Sequence, residues 1–204
     1  MTGEPGWHVY YAATDGRPPR PTLLRALAGF SDACPAPGLP ALLAADLGCG
    51  TGRDTLVLLR AGWRVWALDG QADALAELER RAAVEGLVGL ETVLGRFEDT
   101  TVPSCDLINA SFCLFACEPA AFSRVWSGLR AALRPGARFA GQLLGPRDSW
   151  AGRSDTTIVD RETLDGMLAG LRVEHLEEEE SDAVTPRGEA KHWHIWHVNA
   201  HRPL

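Results

Sequence analysis

The 204-residue sequence has no apolar stretch approaching the roughly twenty residues that span a bilayer, and Met1 to Tyr11 lacks the charged-then-apolar layout of a signal peptide. Neither a membrane partner nor export is expected, and the expected compartment is the cytoplasm. Lysine and arginine form no cluster, and the formal net charge of −7 has the wrong sign for a nucleic-acid footprint. The five cysteines (34, 49, 105, 113 and 117) are odd in number and contain no Cys-x-x-Cys pair, which argues against a disulfide framework and a zinc site. No metal is expected. Cys113 and Cys117 would lie one turn apart in a helix, as two small packed hydrophobes or as a redox pair. What remains is an acidic chain, 46% hydrophobic, of a size for one domain with a full core.

Residues 46 to 52 read Asp-Leu-Gly-Cys-Gly-Thr-Gly after the apolar run Ala41-Leu42-Leu43-Ala44-Ala45, which has the length and composition of a buried parallel strand. Alternating glycines between a strand and a helix let backbone approach a nucleotide-like ligand, because a Cβ at Gly48, Gly50 or Gly52 would fill ligand space or forbid the turn. The carboxylate discriminates between ligands. A dinucleotide pyrophosphate would meet the charge of Asp46 at short range, whereas a ligand carrying an amino group would be attracted. S-adenosylmethionine offers an ammonium, a sulfonium and a carboxylate that can face the helix start near Asp54. The Gly-x-Gly-x-Gly spacing also departs from the Gly-x-Gly-x-x-Gly dinucleotide fingerprint.

The remaining chain alternates strand and helix. Trp7 to Tyr11 followed by the Pro-rich stretch to Pro21 suggests a cap, with a short helix over Thr22 to Phe30 and a Pro-rich connector, Cys34 to Pro40. Helices are expected over Asp54–Ala61, Ala72–Glu85, Ala120–Leu133, the last ended by Pro135-Gly136, and near Arg161–Ala169. Strands are expected at Arg64–Asp69, Leu90–Leu94, Cys105–Ala110 and Arg138–Leu144. Leu171–Glu179 and Lys191–Ala200, joined by the turn-rich Ser181–Gly188, read as an edge hairpin, with Glu177–Glu180 as a solvated strand end or loop. The expected fold class is α/β: a doubly wound, Rossmann-like, seven-stranded sheet of five parallel strands plus a C-terminal antiparallel hairpin, with helices on both faces.

This pattern, with Asp-Leu-Gly-Cys-Gly-Thr-Gly after strand one, resembles the class I S-adenosylmethionine-dependent methyltransferases. Asn109-Ala110-Ser111-Phe112, Arg147–Gly152 and the tail Lys191–Ile195 are similar to a group of small bacterial enzymes related to tellurite-resistance and thiopurine methyltransferases. The resemblance covers about Leu42 to the C-terminus, and the expected organisation is one methyltransferase domain over residues 1–204, with a cap and helix over 1–38 and a cofactor-binding core over 39–204. It implies that Asp46, Gly48, Cys49, Gly50 and Gly52 surround the methionine part of the cofactor and that Arg53 and Asp54 continue the loop. It further implies that Phe97, Glu98 and Asp99 hold the adenine. Asp69, with Gly70, stands at the tip of strand two, where an acid accepts ribose hydroxyls, although Asp-Gly is also an ordinary turn pair. Asn109, Ala110 and Ser111 end strand four at the expected switch point, so Phe112 and Phe115 either border the ligands or fill the core.

Methyl transfer from a sulfonium is an in-line displacement that positioning and dehydration can accelerate without a covalent nucleophile. A soft thiolate, selenolate or tellurium oxyanion needs little base assistance, whereas a hydroxyl or amine profits from it. Period-two alternation puts His192 and His194 on one strand face near the active-site edge, as base, acceptor-binding group or structural histidines. Tyr10, Tyr11, Arg17 and Arg20 belong to the cap, which either closes over an anionic acceptor or simply packs, and Tyr11 is a further catalytic candidate. Trp150 is a candidate pocket wall. The expected partner is a small-molecule acceptor, and oligomeric state is open, with a monomer expected. A non-catalytic S-adenosylmethionine-binding regulator and a nucleotide-dependent oxidoreductase are the alternatives.

Overall fold

The computed structural model describes residues 7–30 and 41–204. The expected connector Cys34–Pro40 lies outside the described residues. Strands β1 (Leu43–Leu47), β2 (Arg64–Asp69), β3 (Leu90–Leu94), β4 (Cys105–Ala110), β5 (Leu133–Leu144), β6 (Arg172–Val184) and β7 (Ala190–His201) form one sheet in the order β3-β2-β1-β4-β5-β7-β6. Pairing is parallel from β3 through β5 and antiparallel for β5–β7 and β6–β7, as the α/β reading expects. The order reverses between β1 and β4, where Asp46 pairs in register with Asn109. In an open α/β sheet this switch point is where a crevice for a ligand opens.

Alternation along each strand divides the core into two layers. Ala44, Val65, Ala67, Leu107 and Ala140 face one layer, closed by Leu23 and Ala26 of α2 (Pro21–Ala28), Leu56 to Leu59 of α3 (Thr55–Arg60) and Leu75 and Leu78 of α4 (Ala72–Val84). Ala45, Leu47, Leu68, Ile108, Phe139, Trp196 and Val198 face the other, under Phe122, Trp126 and Leu129 of α5 (Pro119–Ala132) and Leu164 of α6 (Arg161–Leu168). Pro21 and Pro119 each start their helix, where a missing N–H costs nothing. The Thr22 hydroxyl accepts from Gln142 Nε2, and the Thr22 carbonyl accepts from Asn199 Nδ2, each at 2.8 Å, which ties α2 to β5 and β7.

Several boundaries differ from the sequence reading. An additional helix, α1 (Trp7–Thr14), precedes the turn at Asp15-Gly16, since no proline or glycine interrupts those eight residues. Asp54 precedes α3 instead of opening it. Pro135-Gly136 lies within β5, whose pairing to β4 shifts register between Cys105 and Leu107. A 3-10 turn at Leu114–Ala116 separates Cys113 from Cys117; both are free and buried, and burial holds both thiols protonated. The largest difference is the hairpin. β6 runs on to Val184, so Glu177–Glu180 are strand residues, and the turn shrinks to Thr185–Glu189, where Thr185 N donates to the Glu189 carbonyl at 2.8 Å. Ser181, Asp182, Ala183 and Val184 read as loop because they are polar or small, but pairing with β7 gives their backbone groups partners.

Candidate active site

The loop leaving β1 takes a left-handed path, with φ of +62° at Gly48, +54° at Gly50 and +94° at Gly52. Side-chain space is closed mostly by protein: a Cβ at Gly48 would lie 2.4 Å from Cys113 Cβ, and one at Gly52 would lie 2.4 Å from Leu78 Cδ1. A Cβ at the buried Gly50 would instead meet the Tyr11 ring of α1, 3.0 Å away. Two of the three glycines therefore serve close packing of the loop itself, and the third makes room for the Tyr11 ring.

Behind the loop, a carboxylate network occupies the switch point. Asp46, 2% exposed, accepts from the Thr55 hydroxyl at 2.5 Å and from Asn109 Nδ2 at 2.8 Å. The same Asn109 amide reaches Asp54 Oδ2 at 3.1 Å, while Asp54 Oδ1 accepts from Arg20 N at 3.0 Å. Ser111 donates to Asn109 Oδ1 at 3.1 Å. Burial, with the charge of Asp54 next, raises the Asp46 carboxyl to about 7, against the opposing hydrogen bonds from Thr55 and Asn109. Two buried acids sharing one amide donor make a centre that a cationic ligand would stabilise.

Asp69 ends β2 beside the loop. Gly50 N donates to its Oδ2 at 2.8 Å, Gln71 N to its Oδ1 at 2.9 Å, and the Tyr11 hydroxyl lies 3.5 Å from Oδ1. Burial raises the Asp69 carboxyl, and burial with the charge of Asp69 raises the Tyr11 phenol. Gly70 is exposed next to it. Tyr11 thus joins the glycine loop, together with Tyr10 at a ring-centroid distance of 5.8 Å.

Other expected cofactor residues have structural engagements. The Arg53 guanidinium holds the Pro18 carbonyl, Cys49 Sγ contacts the Gly50 carbonyl, and Ala110 is fully buried in the sheet. Phe97 packs on the core, and Glu98 accepts from the Glu118 backbone N–H at 2.5 Å and pairs with Arg96 at 3.3 Å. Glu98 thereby ties the β3–β4 connection to the start of α5.

On the neighbouring side of the switch point stands an unbroken row of half-exposed rings. Phe115 meets Trp150 at 5.7 Å, Trp150 meets Trp193 at 5.8 Å, Trp193 meets Phe112 at 6.1 Å, and Phe112 meets His197 at 6.3 Å. The Arg20 guanidinium lies 4.2 Å over Phe112, which is the single non-glycine residue with positive φ (+52°) among the described residues. Arg17 is exposed. Behind the tryptophans, Lys191 Nζ sits 3.9 Å from the Trp150 centroid and 4.4 Å from that of Trp193, paired with Asp148. Lys191 is the sole lysine of the sequence, and it is 4% exposed.

β7 sorts its histidines by parity. His192 and His194 share the face of Trp196, where His192 bonds Asp182 at 2.8 Å and Glu180 at 3.1 Å, both of which raise its imidazole. His194 is fully buried; its Nδ1 accepts from Arg147 N at 3.1 Å, so Nε2 carries the proton directed at Glu178, 3.0 Å away. Both histidines latch the hairpin and the loop after β5. Trp193 and His197 occupy the opposite face, with His197 Nε2 2.8 Å from Glu179 Oε2. These two, and the Lys191–Asp148 pair, escaped the sequence reading, although the same period-two rule applied to odd positions would have grouped Lys191, Trp193 and His197.

Residues 44–136 match the profile of a family described as a methyltransferase domain. Comparison with curated proteins found no match. Among solved structures, TehB from Haemophilus influenzae is similar with a TM-score of 0.68 and 15% identity, over 85% of this chain and 65% of that one. The 1,6-didemethyltoxoflavin-N1-methyltransferase of Burkholderia thailandensis, solved with 1,6-didemethyltoxoflavin and S-adenosylhomocysteine, gives a TM-score of 0.66 and 19% identity, over 100% and 93%. The magnesium protoporphyrin IX methyltransferase of Synechocystis PCC 6803, with bound S-adenosylmethionine, gives 0.65 and 16%, over 98% and 92%. Residues 44–136 thus carry a match to a methyltransferase domain, and the sheet that contains them has the fold of these solved structures.

Proposed function

We propose that the protein transfers a methyl group from S-adenosylmethionine to a small-molecule acceptor, with the cofactor along the 48–52 loop and Asp69 and the acceptor against the row from Phe112 to Trp193. The observation that carries this reading is Asp69. Its carboxylate is fixed by two backbone N–H groups and already faces one hydroxyl, that of Tyr11 at 3.5 Å, which is the chemistry a ribose hydroxyl would present. The negative centre of Asp46 and Asp54 fits the cationic methionine end, and a pyrophosphate would be repelled there.

The cofactor supplies an electrophilic methyl carbon on a sulfonium. The chain's residues bind and align: Asp69 and Gly50 fix the nucleoside end, and Asp46 and Asp54 favour the positive end. Phe112, Phe115, Trp150 and Trp193 wall the reacting atoms from water, with Tyr10 and Tyr11 on the α1 side. His197, aligned by Glu179, is the base on the acceptor's side and can take a proton from a hydroxyl or amine acceptor; a thiolate would need no such step. This assignment moves the base role from the even face of β7 to the odd one.

Thermal melts test the reading. S-adenosylmethionine at a hundredfold its Kd should add about 2.7 kcal/mol, or roughly 5–10 °C for a domain of this size, and NAD should add nothing. Protection by NAD alone would restore the oxidoreductase reading.

A further inference from the structure

Resting on the methyltransferase reading, and going on to its acceptor, we infer that the row of rings beside Arg20 is a site for a planar aromatic carboxylate. Three observations carry this. The rings of Phe112, Phe115, Trp150 and Trp193 contact one another edgewise or tilted, with interplanar angles between 55° and 90°, and each is only partly covered. Such an arrangement leaves π surface for a flat ligand, which gains both buried area and offset or edge contacts.

The second observation is the sign of the field. Lys191 lies against Trp150 and Trp193, Arg153 lies 5.2 Å over Trp150 and Arg20 lies over Phe112, so each of these three rings already carries a cation on one face. A cationic acceptor is disfavoured there.

The third is the state of Arg20. Among the described residues, its guanidinium makes no hydrogen bond, and Arg53 and Arg17 add like charge beside it. Asp54, the acid whose charge acts on it, is committed to Arg20's own backbone N–H through Oδ1 and to Asn109 through Oδ2. Lys191, by contrast, has Asp148. A half-buried guanidinium whose donors are unused among the described residues presents a fork that a carboxylate satisfies bidentately. Phe112 holds its ring under that fork in a left-handed conformation that side chains rarely adopt, which is the kind of local strain that accumulates at ligand sites.

The test titrates benzoate, indole-3-carboxylate and 2-naphthoate, and the three corresponding primary amides, by calorimetry with and without S-adenosylhomocysteine. At least one carboxylate should bind about tenfold or more tightly than its amide. Arg20→Gln should erase that preference, Arg20→Lys should keep part of it, and both variants should still bind S-adenosylhomocysteine. Because Lys191 is the sole lysine, protein carrying ¹³C-lysine gives one Cε resonance, and the bound aromatic acid should shift it through the ring currents of Trp150 and Trp193. Equal affinity for acid and amide, or no binding by any of the six probes, overturns the inference. So does an Arg20→Gln effect on S-adenosylhomocysteine alone, which would place the guanidinium on the cofactor's carboxylate. Failure of the wild type to bind S-adenosylhomocysteine would instead bring down the methyltransferase reading, and the titrations without it read the two failures separately.

Discussion

Asn109 Nδ2 lies 2.8 Å from Asp46 Oδ1, joining the tips of the two strands between which the sheet order reverses, and the same amide reaches Asp54 at 3.1 Å. One neutral donor thus holds two carboxylates in a crevice where neither is well hydrated. The stability and the ligand preference of the site both follow from this pairing.

Asp46 makes a pH signature. Its folded carboxyl stands at about 7 against a normal value of 3.8, so its contribution to stability is fully present below about pH 4 and is lost as pH rises through about 7. In urea titrations, the stability of wild type relative to Asp46→Asn should therefore decline between pH 4 and pH 7.5. A cationic ligand draws the proton off. S-adenosylmethionine binding at pH 6 should release a measurable fraction of a proton, read from calorimetry in two buffers of different ionisation enthalpy, and Asp46→Asn should abolish the release.

Gly48 and Gly50 should separate packing from approach. Gly48→Ala combines a positive φ with a Cβ 2.4 Å from that of Cys113, a contact that backbone must relieve, and should cost several kcal/mol. Gly50→Ala meets only the edge of the Tyr11 ring at 3.0 Å. Its stability loss should be the smaller of the two by denaturant melts, while its cofactor affinity should fall at least as far.

Strand parity explains how much of this site was legible beforehand. The Asp46–Gly52 motif and Asp69 could be read because their chemistry is local: a strand tip, glycines needing positive φ, and an acid at the next tip. The sheet followed from alternating apolar runs. His192 and His194 form a pair on one face by alternation, yet that face turns to Glu178, Glu180 and Asp182 of β6, and the aromatic row lies on the other. Only the register of β6 against β7, together with the loop carrying Trp150, decides this, and neither is encoded within a short window. The same holds for α1, whose placement over Gly50 depends on contacts more than 35 residues away in sequence.

The Lys191–Asp148 pair should behave as a buried ion pair. Its side chains are 1% and 0% exposed, and Asp148 also accepts from the Trp150 and His194 backbone N–H groups. Lys191→Met should cost about 3–5 kcal/mol by leaving a buried carboxylate uncompensated, and the double variant with Asp148→Asn should recover part of that loss. A double-mutant cycle in urea measures the coupling.

Phe112 tests strain against contact. Phe112→Gly relieves the left-handed backbone and Phe112→Ala does not, so the glycine variant should be the more stable of the two by roughly 1 kcal/mol. Both should lose the support under Arg20 equally, so any acid-over-amide preference should fall in each.

The central claim is that Asp69 and the glycine loop hold S-adenosylmethionine. Isothermal titration of S-adenosylhomocysteine into wild type and Asp69→Ala tests it most directly. The account predicts a single site in the wild type and at least a tenfold loss of affinity in Asp69→Ala, since the acid would accept hydroxyl hydrogen bonds inside a partly dry crevice. Absence of binding to the wild type at millimolar ligand, or equal affinity for the two proteins, would contradict it.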